Sequence, residues 1–257
     1  MAWRGGAAAI LAVLAMVLAG PSRAAADSPF SDWAAIVVAG DWHAHSGGAT
    51  EAFDNARRDV AKALIGVGFA PANVRQFSVR PQRYKDAGAA KSDIQGIYDG
   101  LSAVTAKAQG GCLLYFSSHG APQGVVVDDR LLPPSLLAEI IDETCAQRPT
   151  IVVLSACFSG IFVPDLASPN RMILTAARPD RTSFGCGEAN TYPYFDECFL
   201  TAFPNAKDFA ALGAATQACV AAREIKEGAT PPSEPQLWIG PALRPLLPLY
   251  ALARAPP

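Results

Sequence analysis

Short apolar runs alternate with amphipathic segments along the chain, and this alternation restricts the fold more than any other feature. The apolar runs predict buried strands at 33–40, 73–79, 111–120, 150–157 and 170–177, with a last strand near 236–240. The segments between them show helical spacing and predict helices from about residue 51 onward. Strands that alternate with helices indicate an α/β fold: a mainly parallel sheet of about six strands, with helices on both faces.

The N-terminal segment has the pattern of a secretory signal. Arg4 precedes an apolar stretch of roughly 13 residues, and the small residues Ala24, Ala25 and Ala26 follow. A membrane anchor is the alternative, but the apolar stretch is shorter than the ~20 residues that span a bilayer. We therefore expect a signal peptide at 1–26 and a single mature domain at 27–257 with a Pro-rich tail at about 241–257. The mature protein would be exported, periplasmic or secreted, and free of the membrane.

Charge and motifs exclude several function classes. The net charge is −2, without a basic stripe, so nucleic acid is a poor candidate partner. No strand is followed by the glycine patterns of dinucleotide-binding or phosphate-binding loops, and no α/β-hydrolase nucleophile motif occurs. The histidines of the stretch "DWHAH", His43 and His45, could begin a metal site, but no third ligand follows nearby. We expect a cleft-wall or surface loop there, and neither a metal nor a cofactor.

Six cysteines suit a compartment that permits disulfides. If one of them is a working thiol, at least one other must stay free. Cys186 and Cys198 flank a polar loop and form the expected pair. Cys112 opens an apolar strand and is expected to be a buried thiol.

A histidine and a cysteine each follow an apolar strand, and each is trailed by glycine. His119 ends the stretch "LLYFSSHG", and Cys157 lies in "IVVLSACFSG". Ligands bind beyond the carboxyl ends of strands in open parallel sheets, and one helical crossover separates these two strands. An imidazole at this edge can take the thiol proton, so that the thiolate attacks a carbonyl and the proton passes to the leaving amine.

Two backbone groups are candidates for the oxyanion hole. Gly120 lets the chain turn sharply and brings its N–H towards a substrate, and the N–H of Cys157 is the second donor. His43 or Asp41 could orient the imidazole. The alternative for His119 and Cys157 is a structural role, as a satisfied histidine and a core cysteine.

Several stretches resemble the legumain family of cysteine peptidases, within the caspase–legumain superfamily, and in particular its bacterial secreted members. They are "YFSSHG", "VLSACFSG", "TAARPDRTSFGC", "YFDECFL" and "VAGDW". The resemblance implies a caspase–haemoglobinase-like three-layer α/β/α fold and an endopeptidase with a thioester at Cys157 and His119 as general base. It also implies peptide or protein substrates.

The resemblance implies a specificity pocket as well, with departures from the family pattern. Asp196 and Ser183 would contact the side chain before the scissile bond. Ser155 stands in this pocket where family members that cut after Asn have Glu, and Ala52-Phe53 stands where they have Arg-His. Asn, Asp or a basic residue therefore remain open as the preferred side chain.

Two other functions remain open at this stage. The same thioester could be transferred to an amine, which would make the protein a transpeptidase or peptide ligase. A non-catalytic caspase-like binding module is the third possibility. The oligomeric state does not follow from the sequence.

Overall fold

A seven-stranded sheet forms the centre of the protein in the computed structural model, which describes residues 1–2, 28–85 and 88–252. The predicted signal peptide lies outside these residues apart from its first two, and so do the last five residues of the Pro-rich tail. The strands follow the order β10-β9-β8-β4-β1-β2-β3. All neighbours are parallel except β10, which pairs antiparallel with β9. Their bounds are β1 Trp33–Ala39, β2 Val74–Ser78, β3 Ala90–Lys91, β4 Gly111–Ser117, β8 Thr150–Ser155, β9 Arg171–Thr175 and β10 Gln236–Ile239.

Helices cover both faces of this sheet, because its central strands are buried along their whole length and send alternate side chains to either side. In β4, Leu113 and Tyr115 point into one core, whereas Leu114 and Phe116 point into the other. The helices are α1 Ala52–Gly66, α2 Ile94–Thr105, α3 Pro134–Cys145, α4 Phe162–Leu166, α5 Tyr194–Ala202 and α6 Phe209–Glu227. The first core joins the sheet to α1, α5 and α6, and the second joins it to α2, α3 and α4. The predicted three-layer α/β/α fold is confirmed.

A small antiparallel sheet follows the end of β4. It contains β5 Gly120–Ala121, β6 Gly124–Val127 and β7 Arg130–Leu132. Asp128 lies at the turn with a φ of 58°, a left-handed conformation that Asp tolerates better than most residues. This sheet begins directly after His119, so it fixes the direction in which the chain leaves the central sheet.

The structure contains more strands and helices than were predicted from the sequence. The sheet has seven strands instead of about six, because the edge strand β3 comprises only two residues, too few to show a periodic pattern. Helix α5 was not distinguished as a separate element in the sequence. It starts immediately after Pro193, and its nine residues are few for a helical pattern to be recognised.

The disulfides differ from the expected ones. Cys198 is bonded to Cys219, and Cys112 to Cys145. The expected Cys186–Cys198 pair and the expected free thiol of Cys112 are therefore wrong. Cys198 lies on α5 against α6, a contact that depends on a helix not evident in the sequence. Cys186 is free together with Cys157, in agreement with the expectation that a working thiol leaves a second one unpaired.

The described part of the C-terminal tail packs onto the first core. Leu243, Leu247 and Leu252 are buried there. The ring of Tyr250 lies 4.8 Å from that of Trp33, edge to face. Within the described residues, no helix is both long and apolar enough to cross a bilayer.

The disulfide pairing can be tested by alkylating the denatured, unreduced protein with iodoacetamide. We expect two modified residues, Cys157 and Cys186, because the other four cysteines are paired. Peptide mapping by mass spectrometry identifies the modified positions. Label on Cys219 without label on Cys186 would contradict this pairing and restore the one expected from the sequence.

Candidate active site

The ends of β4 and β8 carry the histidine and the cysteine to the same edge of the sheet. The two strands pair in parallel with Ser117 opposite Ser155, and the N–H of Ser118 donates to the carbonyl of Ser155 at 3.0 Å. His119 lies two residues after Ser117, and Cys157 lies two residues after Ser155. Both line one cavity of about 450 Å³. The predicted proximity of the two strand ends is confirmed.

The imidazole of His119 is held by a backbone carbonyl and an aromatic ring. Its Nε2 lies 2.9 Å from the carbonyl oxygen of His43. A carbonyl only accepts hydrogen bonds, so this contact places the proton of a neutral imidazole on Nε2 and leaves Nδ1 as the basic nitrogen. The ring of Phe53 contacts the imidazole edge to face, with centroids 5.1 Å apart.

His43, one of the two residues predicted to orient the imidazole, contacts it through its main chain. Its own ring is bonded to Asp41, with Nδ1 2.8 Å from Oδ1. The same carboxylate oxygen also accepts from the backbone N–H groups of Trp42 and His43. Asp41 therefore stabilises the loop whose carbonyl contacts His119, and it acts on the imidazole only through that loop.

Cys157 points at the loop that follows β9. The N–H of Ser183 donates to its Sγ at 3.2 Å, and the Ser183 hydroxyl lies 3.5 Å from the same sulfur. In the part of the chain that the structure describes, the hydrogen bonds of the thiol run to Ser183 and not to His119. In ligand-free sites, catalytic hydrogen bonds often tighten only when substrate binds.

A tight turn positions the sulfur. Phe158, the residue after the cysteine, has a φ of 57°, an unfavourable conformation for an aromatic residue. Its N–H is held by the carbonyl of Arg181 at 2.8 Å. Backbone strain of this kind persists where surrounding structure enforces it, often at functional sites.

Gly120 packs against this turn so closely that no side chain would fit. A Cβ built on Gly120 would lie 2.1 Å from the carbonyl oxygen of Cys157. The backbones after His119 and after the cysteine therefore contact each other directly. This explains why glycine is needed here, and it shows that the two residues predicted to supply the oxyanion donors are in direct contact.

The loop between β9 and α5 forms much of the cavity wall. Besides His119 and Cys157, the lining residues are His45, Thr182, Ser183, Phe184, Gly185, Cys186, Gly187, Asn190 and Tyr194. Burial, and next the charge of the nearby Cys157, raise the pKa of the Cys186 thiol, which favours its neutral form. Among the residues predicted to contact substrate, Ser183 lies on this wall.

Asp196 and Ser155, the other two residues predicted to contact substrate, are buried and are not among the residues that line the cavity. Asp196 has no exposed surface, and Ser155 is 2% exposed. The carboxylate accepts hydrogen bonds from the Ser155 and Tyr115 hydroxyls, each at 2.5 Å. Burial raises the pKa of Asp196 to about 7, although these hydrogen bonds oppose the rise. Direct contact of Asp196 or Ser155 with a substrate stays a prediction.

Sequence reasoning missed three features of the cavity. His45, Cys186 and Tyr194 line it, although none of them was singled out as a site residue. His45 agrees with the expected cleft-wall loop at "DWHAH", and Cys186 and Tyr194 stand in the stretches "TAARPDRTSFGC" and "YFDECFL". The even number of cysteines offered one signal for Cys186, since a working thiol leaves at least one other cysteine unpaired. Within 28–85 and 88–252, no group of three or more His, Cys, Asp or Glu side chains could hold a metal ion.

Comparison with known proteins places this geometry in context. The model of the Peptidase C13 family matches residues 88–226, more than half of the chain, and the match includes both His119 and Cys157. The structure is similar to the crystal structure of Caspase-1 from Spodoptera frugiperda, with a TM-score of 0.57 and 14% identity over 84% of this chain and 89% of the caspase chain. At that identity the similarity concerns the fold alone. No curated protein matches the sequence.

The raised pKa of Asp196 predicts a specific pH dependence of stability. The folded protein retains this proton up to about pH 7, whereas the unfolded chain releases it near pH 3.8. The contribution of this group to stability is therefore complete below pH 3.8 and is lost as the pH rises to about 7. The amide of Asp196→Asn has no such proton. From pH 5 to pH 8 the free energy of unfolding of the parent should therefore fall by about 3 kcal/mol relative to that of Asp196→Asn.

Urea unfolding of both proteins across this pH range measures the difference. Glu224→Gln, which alters another buried carboxylate, serves as the control for amide substitution. A constant difference between Asp196→Asn and the parent from pH 5 to pH 8 would mean that Asp196 is already ionised at pH 5.

Proposed function

Because the chain belongs to the Peptidase C13 family, we propose that it is a cysteine endopeptidase that forms a thioester at Cys157, with His119 as the general base. The observation that carries this proposal is the placement of both side chains on one cavity by adjacent parallel strands. Ser183 on the wall of this cavity is the candidate contact for the side chain before the scissile bond.

The proposed reaction begins with transfer of the thiol proton to Nδ1 of His119, whose Nε2–H is held by the carbonyl of His43. The thiolate attacks the carbonyl carbon of the peptide bond, and the tetrahedral intermediate expels the amine, which takes the proton from the imidazolium. A water molecule, deprotonated by the same imidazole, then attacks the thioester carbon. The C–S bond breaks and releases the acid, and the leaving thiolate takes the proton back from the imidazolium. The hydrogen bond from Ser183 to the sulfur must weaken as the thiol turns towards the imidazole.

The oxyanion would be bound by the backbone N–H groups of Gly120 and Cys157. Support for this comes from the direct contact between the two backbones, which leaves no room for a side chain at Gly120. Donors fixed by the backbone need no rearrangement when negative charge develops on the substrate oxygen, and one such donor contributes about 10²- to 10³-fold in kcat.

We propose that the protein is exported and that it acts in the periplasm or outside the cell. The support is the signal-like pattern of residues 1–26 and the two disulfides of the folded domain. Disulfides persist mainly in oxidising compartments. The substrates would then be peptides or proteins outside the cytoplasm.

Replacing the nucleophile or the base tests the activity. Cys157→Ala should abolish peptide hydrolysis, and His119→Ala should lower kcat/KM by about 10²- to 10⁴-fold because the thiol loses its proton acceptor. Turnover of a fluorogenic peptide library by the purified mature protein measures both effects, with thermal unfolding as a check on folding. Cys186→Ser is the matched variant, since it removes the other free thiol.

Turnover that survives Cys157→Ala but not Cys186→Ser would contradict the assignment of the nucleophile. A parent protein without turnover of any peptide, and with an unreactive Cys157, would indicate the binding module instead.

The contact between Gly120 and the cysteine turn gives a separate prediction. Gly120→Ala should lower kcat by about 100-fold, because the added methyl group would displace the carbonyl of Cys157 and with it the oxyanion donors. Gly66→Ala is the control, since nothing lies within 4 Å of its Cβ position. Equal kcat values for Gly120→Ala and the parent would rule out an oxyanion hole at this contact.

A further inference from the structure

A single buried carboxylate connects the two strands that carry the proposed catalytic residues. One oxygen of Asp196 accepts from the Tyr115 hydroxyl on β4, and the other accepts from the Ser155 hydroxyl on β8, each at 2.5 Å. Both donors lie near the carboxyl ends of their strands. Tyr115 precedes His119 by four residues, and Ser155 precedes Cys157 by two.

The same carboxylate belongs to the helix that follows the cavity wall. Asp196 is the third residue of α5, and Tyr194 at the start of this helix lines the cavity. The N–H of Tyr194 donates to the carbonyl of Phe184, another lining residue, at 3.0 Å. The start of α5 is thus joined both to the cavity wall above it and to the two strand ends below it.

The burial of Asp196 argues against direct contact with substrate. The residue has no accessible surface, and both of its oxygens already accept hydrogen bonds. A cationic substrate side chain could reach the carboxylate only if the first turn of α5 moved away from the sheet. A carboxylate that is satisfied by two fixed hydroxyl groups is suited to hold those groups in place.

We propose that Asp196 is a positioning residue, whose carboxylate clamps the ends of β4 and β8 to α5 and thereby holds His119 and Cys157 at the distance that proton transfer requires. The effect of the clamp on catalysis rests on the proposed function. Displacement of a reacting group by about 1 Å can cost about 100-fold in rate, so loss of the clamp should affect the chemical step more than substrate binding.

Three variants separate the hydrogen bonds from the charge. Asp196→Ala removes both bonds. Asp196→Asn can keep both, because its amide oxygen accepts from Tyr115 and its NH₂ group donates to the Ser155 oxygen. The double variant Tyr115→Phe with Ser155→Ala keeps the carboxyl group and the nearby Ser117 hydroxyl but removes the two hydrogen bonds of the clamp, and it remains informative if Asp196→Ala does not fold.

The first measurement is the rate at which iodoacetamide alkylates Cys157, followed by peptide mapping at pH 7. This reagent has no side chain to occupy a specificity pocket, so its rate reports the environment of the thiol alone. We expect Asp196→Ala and the double variant to react about 10-fold or more slowly than the parent, and Asp196→Asn to stay within about 3-fold of it.

The second measurement is peptide hydrolysis with matched peptides that carry Arg, Asn or Ala before the scissile bond. We expect Asp196→Ala to lower kcat by about 10- to 100-fold for all three peptides, with KM within about 2-fold of the parent. A loss confined to the Arg peptide, with a raised KM, would overturn the proposal in favour of a direct substrate contact.

Glu224→Ala is the matched control for loss of a buried carboxylate. Glu224 on α6 is 2% exposed and accepts hydrogen bonds from the backbone N–H and the hydroxyl of Ser233. We expect this variant to lose stability but to keep the parent's alkylation rate. An equal slowing of alkylation in Glu224→Ala would overturn the proposal, since general destabilisation would then explain the effect.

The two measurements test the clamp and the endopeptidase proposal independently. If the parent cleaves no peptide, the endopeptidase proposal fails, whereas the alkylation rates still test the clamp. If the parent cleaves peptides and Asp196→Ala alkylates at the parent's rate, the clamp fails and the endopeptidase proposal is unaffected.

Discussion

The parallel pairing of β4 with β8 is the constraint on which the rest of the site depends. Backbone hydrogen bonds hold neighbouring strands ~4.8 Å apart, so the residues that leave the sheet at the same edge must lie close together. A shift of one residue in this register would turn every side chain of β8 to the opposite face. The observed register, with Ser117 opposite Ser155, instead delivers an imidazole and a thiol to one cavity.

This strand pair is secured at both ends by different means. At its amino end, the disulfide between Cys112 and Cys145 joins β4 to α3, the helix that leads into β8. At its carboxyl end, Asp196 bonds hydroxyl groups of both strands. The disulfide stabilises the amino end, which carries no residue of the candidate site. At the end that carries the chemistry, hydrogen bonds fix direction as well as distance, as a site for proton transfer requires.

The layers and the placement of His119 and Cys157 at one edge of the sheet were predictable because each depends on a local pattern. Apolar runs of strand length reveal buried strands, and His119 and Cys157 stand directly after two of them. The disulfides and the place of Cys186 in the cavity wall were not predictable, because they depend on how separate elements meet. Cys198 approaches Cys219 only because α5 packs on α6, and Cys186 reaches the cavity only through an irregular loop. The burial of Asp196 likewise follows from the position of a helix that the sequence did not indicate.

The cost of burying Asp196 supports a reason for its presence beyond stability. Ionised carboxylates without a cationic partner are unfavourable in a core, and burial is the main cause of the raised pKa of this group. A well-packed apolar residue between the sheet and α5 would avoid this penalty. It could not, however, bond to hydroxyl groups on two strands at once. This penalty is explained if the geometry of the two strand ends matters more than the stability that is lost, since the bonded hydroxyl groups lie two residues before Cys157 and four residues before His119.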